Sequence, residues 1–278
     1  MDIVVTNDDG IDSAGLHALV VALSEHGSVT VIAPEDEHSG ASASLGDLSR
    51  RPQARRALVP GADESWAVNG PPALCAALVI NGVFGELPHL LVAGVNAGVN
   101  VGWSFIHSGT VGAARTAHQG GVPSMAVSQA VEGWHFDQQG QMDLVGSMAW
   151  DAAAQVAGAV VAGWPTGESG RSAPLVNLNI PRGATVADFA GWRRTRVGSV
   201  PASSRAGSHE PVPGRVDRVR ALMKWGDRDT PEPGSDAAAI ADSAVSVTWL
   251  GGHPVLLEAL EVPSSVSESL DSLVGPAS

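Results

Sequence analysis

Cysteine and lysine are almost missing from this chain of 278 residues: Cys75 and Lys224 are the only ones. One cysteine excludes an intrachain disulfide, points to a reducing compartment and leaves the thiol the role of a small buried hydrophobe. Positive charge is scarce altogether. With 16 Lys and Arg against 29 Asp and Glu, the formal net charge of −13 opposes binding to nucleic acids or to acidic membrane surfaces. A small phosphorylated ligand stays possible, because one local cation outweighs a diffuse field that salt screens over about 8–10 Å. A long apolar run is also lacking. The most hydrophobic stretch, Ala152–Trp164, is too short to span a bilayer and carries Gln155. The amino terminus reaches Asp2, Asp8 and Asp9 without the basic start and apolar run of a secretory signal. We therefore expect a cytoplasmic globular protein with neither a membrane nor a nucleic-acid partner.

Several catalytic templates are absent too. The glycines are not spaced as G-x-G-x-x-G, no G-x-x-x-x-G-K-[ST] occurs, and Lys224 lies far from any glycine-rich loop, which excludes a P-loop. No G-x-S-x-G elbow, H-E-x-x-H or Cys/His cluster exists from which to start a serine triad or a zinc site. The nine histidines are scattered, and His38 and His107, which adjoin the loops discussed below, are read as surface or packing residues.

What is present is an alternation of buried strands and helices. Ile3-Val4-Val5-Thr6 is a short apolar, β-branched run that stops at Asn7-Asp8-Asp9-Gly10. Ser13 can cap a following helix with Leu16, Leu19, Val20 and Leu23 on one face, Gly27 stops it, and Val29–Ala33 is a second strand. This βαβ unit favours a parallel sheet with a right-handed crossover. A helix from Pro71-Pro72 to about Asn81-Gly82, a strand at Leu90–Ala93, a helix from near Thr110, a strand at Ser124–Val127, a long helix over Met142–Val161 and a strand at Leu175–Ile180 continue it. Residues 1–181 thus read as an α/β core. Beyond Pro181, prolines at 201, 211, 213, 231 and 233 among Ser, Gly and Arg end the regular repeat, so residues 182–250 read as an appendage with one clear strand at Val245–Trp249. Residues 251–278 read as a tail, Ser-rich and mobile from Pro263.

In an open parallel sheet, ligands bind beyond the carboxyl ends of the strands, and three loops there are unusual. Asn7-Asp8-Asp9-Gly10 places two adjacent carboxylates at a strand end, where their repulsion calls for a proton or cation; Mg²⁺ or Mn²⁺, which prefer oxygen ligands, are the simplest answer. An Asx-turn with Asp9 capping the next helix is the alternative. His38-Ser39-Gly40-Ala41-Ser42 offers a hydroxyl, small side chains and backbone N–H groups, or is a plain surface turn. Gly94–Gly102 contains Asn96 and Asn100 between glycines that let backbone approach a ligand, and Ser108-Gly109-Thr110 opens a helix whose free N–H groups suit an anion, unless Ser108 is simply a cap.

Taken together, these loops resemble the SurE family of survival-protein nucleotidases. The matching pieces, in order, are Thr6-Asn7-Asp8-Asp9-Gly10-Ile11, Ala33-Pro34 leading to Ser39-Gly40-Ala41-Ser42, Val68-Asn69-Gly70, Val92-Ala93-Gly94-Val95-Asn96, Ser108-Gly109-Thr110-Val111-Gly112-Ala113-Ala114 and Gly121-Val122-Pro123-Ser124. Fainter echoes follow at Asn177–Pro181, Ser235-Asp236 and Val245–Thr248. The resemblance implies a Rossmann-like, mostly parallel sheet flanked by helices, with a C-terminal extension involved in assembly of a homodimer or homotetramer. It implies one divalent metal ion per subunit, Mg²⁺ or Mn²⁺, on Asp8, Asp9, Ser39 and Asn96, and hydrolysis of nucleoside 5′- or 3′-monophosphates. Asp8, Asp9 and Asn96 are then the catalytic candidates, and Asn7, Gly40, Asn100, Ser108, Gly109 and Thr110 the substrate contacts. The sequence departs from the family pattern at Asp36, His38 and Ala97, where arginines are usual, and at Leu74, Trp103, Ser104 and His107. Trp103, Phe105 and Trp134 are candidates to stack on a base.

Overall fold

A computed structural model of the chain describes residues 1–131, 148–165, 173–199, 205–215, 217–225, 230–253, 256–259 and 261–276. The start of the expected long helix, residues 142–147, and Trp134 lie outside them.

The core is a parallel sheet of β1 (Asp2–Thr6), β2 (Ser28–Pro34), β4 (Glu64–Val68), β5 (Leu90–Ala97), β6 (Ser124–Gln129) and β7 (Leu175–Ile180), in the order β7-β6-β5-β1-β2-β4. β3 (Ala54–Arg56) adds antiparallel to β4 at one edge, and β11 (Val245–His253) adds antiparallel to β7 at the other, followed by β12 (Leu256–Ala259). β8 (Trp192–Arg194) pairs parallel with β11, while β9 (Arg205–Pro211) and β10 (Val219–Trp225) form a separate antiparallel ribbon. The fold is α/β and Rossmann-like, as expected.

Helices cover both faces. On one, Leu16, Leu19, Val20 and Leu23 of α1 (Ala14–Ser24) meet Ile3 and Val5 of β1 and Val156 and Val160 of α5 (Trp150–Ala162). On the other, Leu74, Cys75 and Val79 of α2 (Pro72–Ile80) meet Val4, Ile32 and Leu91 and the Ala113 and Ala117 face of α4 (Gly109–Gln119), which the single-turn α3 (Ser104–His107) precedes. Val4 and its neighbours in β1 thus bury side chains in alternate directions, which is why a continuous apolar run marks this strand. Cys75 is buried, and burial pushes its thiol up to about 12.

Two expectations are corrected. The appendage after Pro181 is more regular than its prolines suggest: besides β8 to β11 it contains α6 (Asp236–Ala241), capped by Ser235, whose hydroxyl accepts from the Ala238 N–H at 3.1 Å. The Ser-rich tail is not mobile over its length. Ser264–Val274 forms α7, whose Val266, Leu270 and Val274 recur every four residues, as one helical face requires, and are buried in the core cluster that α5 also lines. Full burial of each such side chain contributes about 1.5–3 kcal/mol before the entropy of ordering is subtracted. Ser265 and Asp271 reinforce it by donating to the Gly163 carbonyl at 2.5 Å and accepting from the Trp192 indole at 2.6 Å. The serines are polar enough to mask a stripe of only three apolar residues.

Candidate active site

The connection through α1 runs from β1 to β2 on one face, and α2 returns on the other face to β5, on the far side of β1. The strand order therefore reverses at β1, and the carboxyl ends of β1 and β5 flank the crevice where ligands of such sheets bind.

At the end of β1 the chain turns sharply at Gly10, whose φ of +95° a side chain would disfavour. Asn7 is buried inside this turn, its amide donating to the Gly10 carbonyl at 2.8 Å and to Ser13 Oγ at 2.7 Å. Ser13, not Asp9, caps α1, which removes the capping alternative for Asp9. Asp8 is 2% exposed and receives the Thr110 hydroxyl at 2.5 Å together with the Thr110 N–H. Asp9 is half-buried and accepts from the Ala97 N–H. Both carboxyls are held above the ordinary carboxylate range. Burial is the main cause in each; the Thr110 bonds oppose it at Asp8, and at Asp9 the charges of Asp8 and Glu37 add to it.

β5 delivers Asn96 through a bulge. Ala93 pairs with Ala126 but Asn96 with Ser128, so one extra residue lies in β5 and the chain beyond it is re-aimed. The Asn96 amide nitrogen donates to the Gly98 carbonyl at 2.6 Å, which leaves Oδ1 as the group available to a ligand. Asn100 is committed similarly: its Nδ2 donates to Ser128 Oγ at 2.8 Å, its N–H to Asn179 Oδ1 at 2.7 Å, and its carbonyl accepts from Asn177 Nδ2 at 2.8 Å. Asn177, Asn179 and Ser128 were not singled out as site residues in the sequence. The available signal was two asparagines two apart in a strand otherwise apolar, which places both on one face.

Asp8, Ser39, Gly40, Asn96, Asn100, Ser104, His107 and Ser108 line one cleft of about 250 Å³, mouth included. Asp9, expected as a metal ligand, follows Asp8 in the chain but is not among the lining residues. Asn7, Gly109 and Thr110, expected as substrate contacts, are not in the lining and stand behind it: Asn7 braces the turn, Thr110 is spent on Asp8, and a Cβ on Gly109 would come within 2.8 Å of Asp8 Oδ2. Ser108 accepts from the Val111 N–H at 3.1 Å and keeps its own O–H for the cleft. Loop 38–44 is fastened to this wall, the His38 N–H donating to the Asp8 carbonyl at 2.6 Å and Ser42 reaching the carbonyls of His107 and Ile106 at 3.1 and 2.7 Å.

The four expected metal ligands, Asp8, Asp9, Ser39 and Asn96, offer two carboxylates, a hydroxyl and an amide oxygen. Among the described residues no group of three or more His, Cys, Asp or Glu forms a metal cluster. Two carboxylates with hydroxyl and amide oxygens fit a hard divalent ion, and His107 is the one imidazole among the described lining residues.

A family model described as Survival protein SurE matches residues 3–203. The chain belongs to the SurE family. Its fold is similar to the crystal structure of SurE protein from Aquifex aeolicus, with a TM-score of 0.68 and 24% identity over 98% of this chain and 99% of that one. Membership in the SurE family points to phosphatase or nucleotidase chemistry. Among the described residues no helix is long and apolar enough to cross a membrane.

The departures from the SurE pattern fall at different depths. Leu74 is buried in the second core cluster, and Ala97 is buried with its N–H on Asp9. Phe105 is buried with Val111, Ala114 and Leu250, so it is packing and not a base platform. Trp103 is 40% exposed at the rim, and its ring lies 4.8 Å from that of His107, which lines the cleft.

Proposed function

We propose that this protein is a divalent-metal-dependent phosphomonoesterase that hydrolyses nucleoside 5′-monophosphates, with 3′-monophosphates as further substrates, to nucleoside and phosphate. The observation that carries the reading is a pair of adjacent carboxyls: buried Asp8, in the lining of a cleft that Ser39, Asn96 and Ser108 share, and half-buried Asp9 next to it in the chain. Asp8, Asp9, Ser39 and Asn96 would hold one Mg²⁺ or Mn²⁺ per subunit. Such an ion, when bound, neutralises phosphoryl charge and lowers the pKa of a water. Asp8 is oriented by Thr110, so its carboxylate is fixed before substrate arrives. Ser108 and the Gly40 backbone present donors to the phosphoryl oxygens, while Asn96 and Asn100 offer oxygens to the ion or to the attacking water. The working form is proposed to be a cytoplasmic homodimer or homotetramer.

Phosphate release from AMP and GMP should require Mn²⁺ or Mg²⁺ and stop with EDTA; no metal-dependent release from any monophosphate would overturn the reading. The second reading is a nucleotide- and metal-binding protein with weak turnover, or a phosphatase of another small ester. It is favoured by the absence of Lys and Arg among the described residues of the cleft lining, which weakens the hold on phosphate. Tight nucleotide binding in calorimetry without turnover would select the binding protein, and a panel of sugar phosphates the other phosphatase.

The rim supports a nucleoside over a bare phosphate. Base–aromatic stacking is worth about 1–3 kcal/mol, so Trp103→Ala should raise KM for AMP by about 5- to 150-fold. KM for ribose 5-phosphate should not change; equal effects on both substrates would remove Trp103 from base recognition.

A further inference from the structure

We propose that Asp236, in the C-terminal extension, is a positioning residue of the active site: it clamps the loop that carries Asn100 and Ser104 into the cleft. The inference rests on the phosphomonoesterase reading for the reaction it serves, and on the following geometry for itself.

Asp236 is 0% exposed, and its two oxygens reach two other pieces of chain and the next N–H of its own helix. Oδ2 accepts from the Gly102 N–H at 3.0 Å; Oδ1 accepts from the Gly198 N–H at 3.0 Å and from the Ala237 N–H at 2.8 Å. Gly102 lies two residues from Asn100 and two from Ser104, both of which line the cleft. Asp236 thus ties the cleft loop to the segment after β8 and to the start of α6. Among the described residues it has no salt bridge, so a buried carboxylate is retained here with only N–H donors to satisfy it. Burial raises its pKa, and those three N–H bonds oppose the rise. An uncompensated buried charge is costly, and a plain structural tie between loops could be made by neutral groups.

A second, independent contact joins the same two pieces. Val99 and Val101 of the loop are buried in a small cluster with Ala130, and Ala237 and Ile240 of α6 pack against it. The loop is therefore held by apolar contact on one side, by Asn177 and Asn179 at residue 100, and by Asp236 at residue 102. Asn177 and Asn179 come from the core sheet, but Asp236 comes from the extension. Removing it frees the loop end that bears Ser104 without touching Asp8, Asp9, Ser39 or Asn96.

The test compares Asp236→Asn and Asp236→Ala with wild type in full-length protein. Three quantities are read: hydrogen exchange of the backbone amides of residues 98–107, KM and kcat for AMP at saturating Mn²⁺, and binding of Mn²⁺ and of inorganic phosphate by calorimetry. The Asn variant retains one acceptor and should fold; the Ala variant retains none. We expect faster exchange in this loop, KM raised at least about tenfold in Asp236→Ala and less in Asp236→Asn, and Mn²⁺ affinity within twofold of wild type. A merely structural role would lower thermal stability and shift Mn²⁺ and phosphate binding together. Unchanged loop exchange, or KM and phosphate affinity both within twofold in a folded variant, would overturn the clamp. If wild type releases phosphate from no monophosphate, the phosphomonoesterase reading fails, while exchange and phosphate binding still decide the clamp.

Discussion

Asp8→Asn is expected to lower kcat/KM for AMP by more than about 100-fold while leaving the fold intact. Loss of a partner one shell away from a metal typically costs about 10–100-fold in affinity or activity, so loss of a direct ligand should exceed that range. Asp9→Asn should act likewise and adds a stability signature that an ordinary active-site variant lacks. In the folded protein the Asp9 carboxyl is held well above its ordinary value of 3.8 by burial and by the charges of Asp8 and Glu37. A carboxyl whose pKa is raised on folding favours the fold below the unfolded pKa, and that contribution is lost as pH rises through the folded value. At neutral pH the metal-free wild type therefore carries a repulsion that the asparagine variant lacks. Metal-free Asp9→Asn should melt higher at pH 7, by about 2–4 °C for each kcal/mol relieved, and the gap should close as pH falls below 4. Saturating Mn²⁺ should reverse the order, because only wild type binds the ion well and gains its linkage stabilisation. Calorimetric scans with Mn²⁺ and with EDTA check this, and a metal-free variant that melts lower than metal-free wild type at pH 7 contradicts it.

The parts of this chain that could be read in advance are those whose cause is local. β1, β2, β5, β6 and β7 are buried on both faces, so each is an apolar run bounded by turn residues, and α1 carries its apolar face at helical spacing beside Ser13. β3 and β4 are different: β3 is wholly exposed and carries Arg55 and Arg56, paired with Glu35 and Glu64, so an edge strand looks like a charged loop. At the site, Asp8 and Ser39 could be named because each follows a strand end of the parallel sheet, and Asn96 because it lies at the carboxyl end of β5. Asn179 and Asp236 could not be placed, because the groups they hold lie 79 and 134 residues away in sequence. Thr110 has a partner inside the chain that the sequence did not reveal. A helix start was expected to face an anionic ligand, whereas its hydroxyl and N–H face the carboxylate of Asp8, an anion supplied by the chain itself.

Gly112→Ala should destabilise the protein and weaken its activity, although alanine is the better helix former. In an exposed helix interior the exchange favours alanine by about 1 kcal/mol. Gly112 lies inside α4, where a Cβ would fall 2.0 Å from the Ser42 carbonyl oxygen, 2.3 Å from its carbon and 2.8 Å from the Ala43 nitrogen. These are backbone atoms with no rotamer to change, so either α4 or loop 38–44 must move. Overpacking of this kind costs about 1–3 kcal/mol, which cancels the helical gain or exceeds it by up to about 2 kcal/mol. The loop is the weaker partner: two Ser42 bonds, to the His107 and Ile106 carbonyls, tie it to the segment before α4, and the His38 N–H ties its start to the Asp8 carbonyl. Breaking the Ser42 bonds leaves Ser39 and Gly40 held only from the His38 side and loosens them in the cleft, while Asp8 and Asp9 stay in place. The expected result is a fall in melting temperature of up to about 8 °C, a Mn²⁺ affinity weaker by roughly tenfold, and kcat/KM reduced by more than the affinity alone explains. Metal titrations at fixed AMP separate the last two. A variant as stable as wild type, with its activity unchanged, would mean that the contact between α4 and the Ser39 loop does not hold the cleft together.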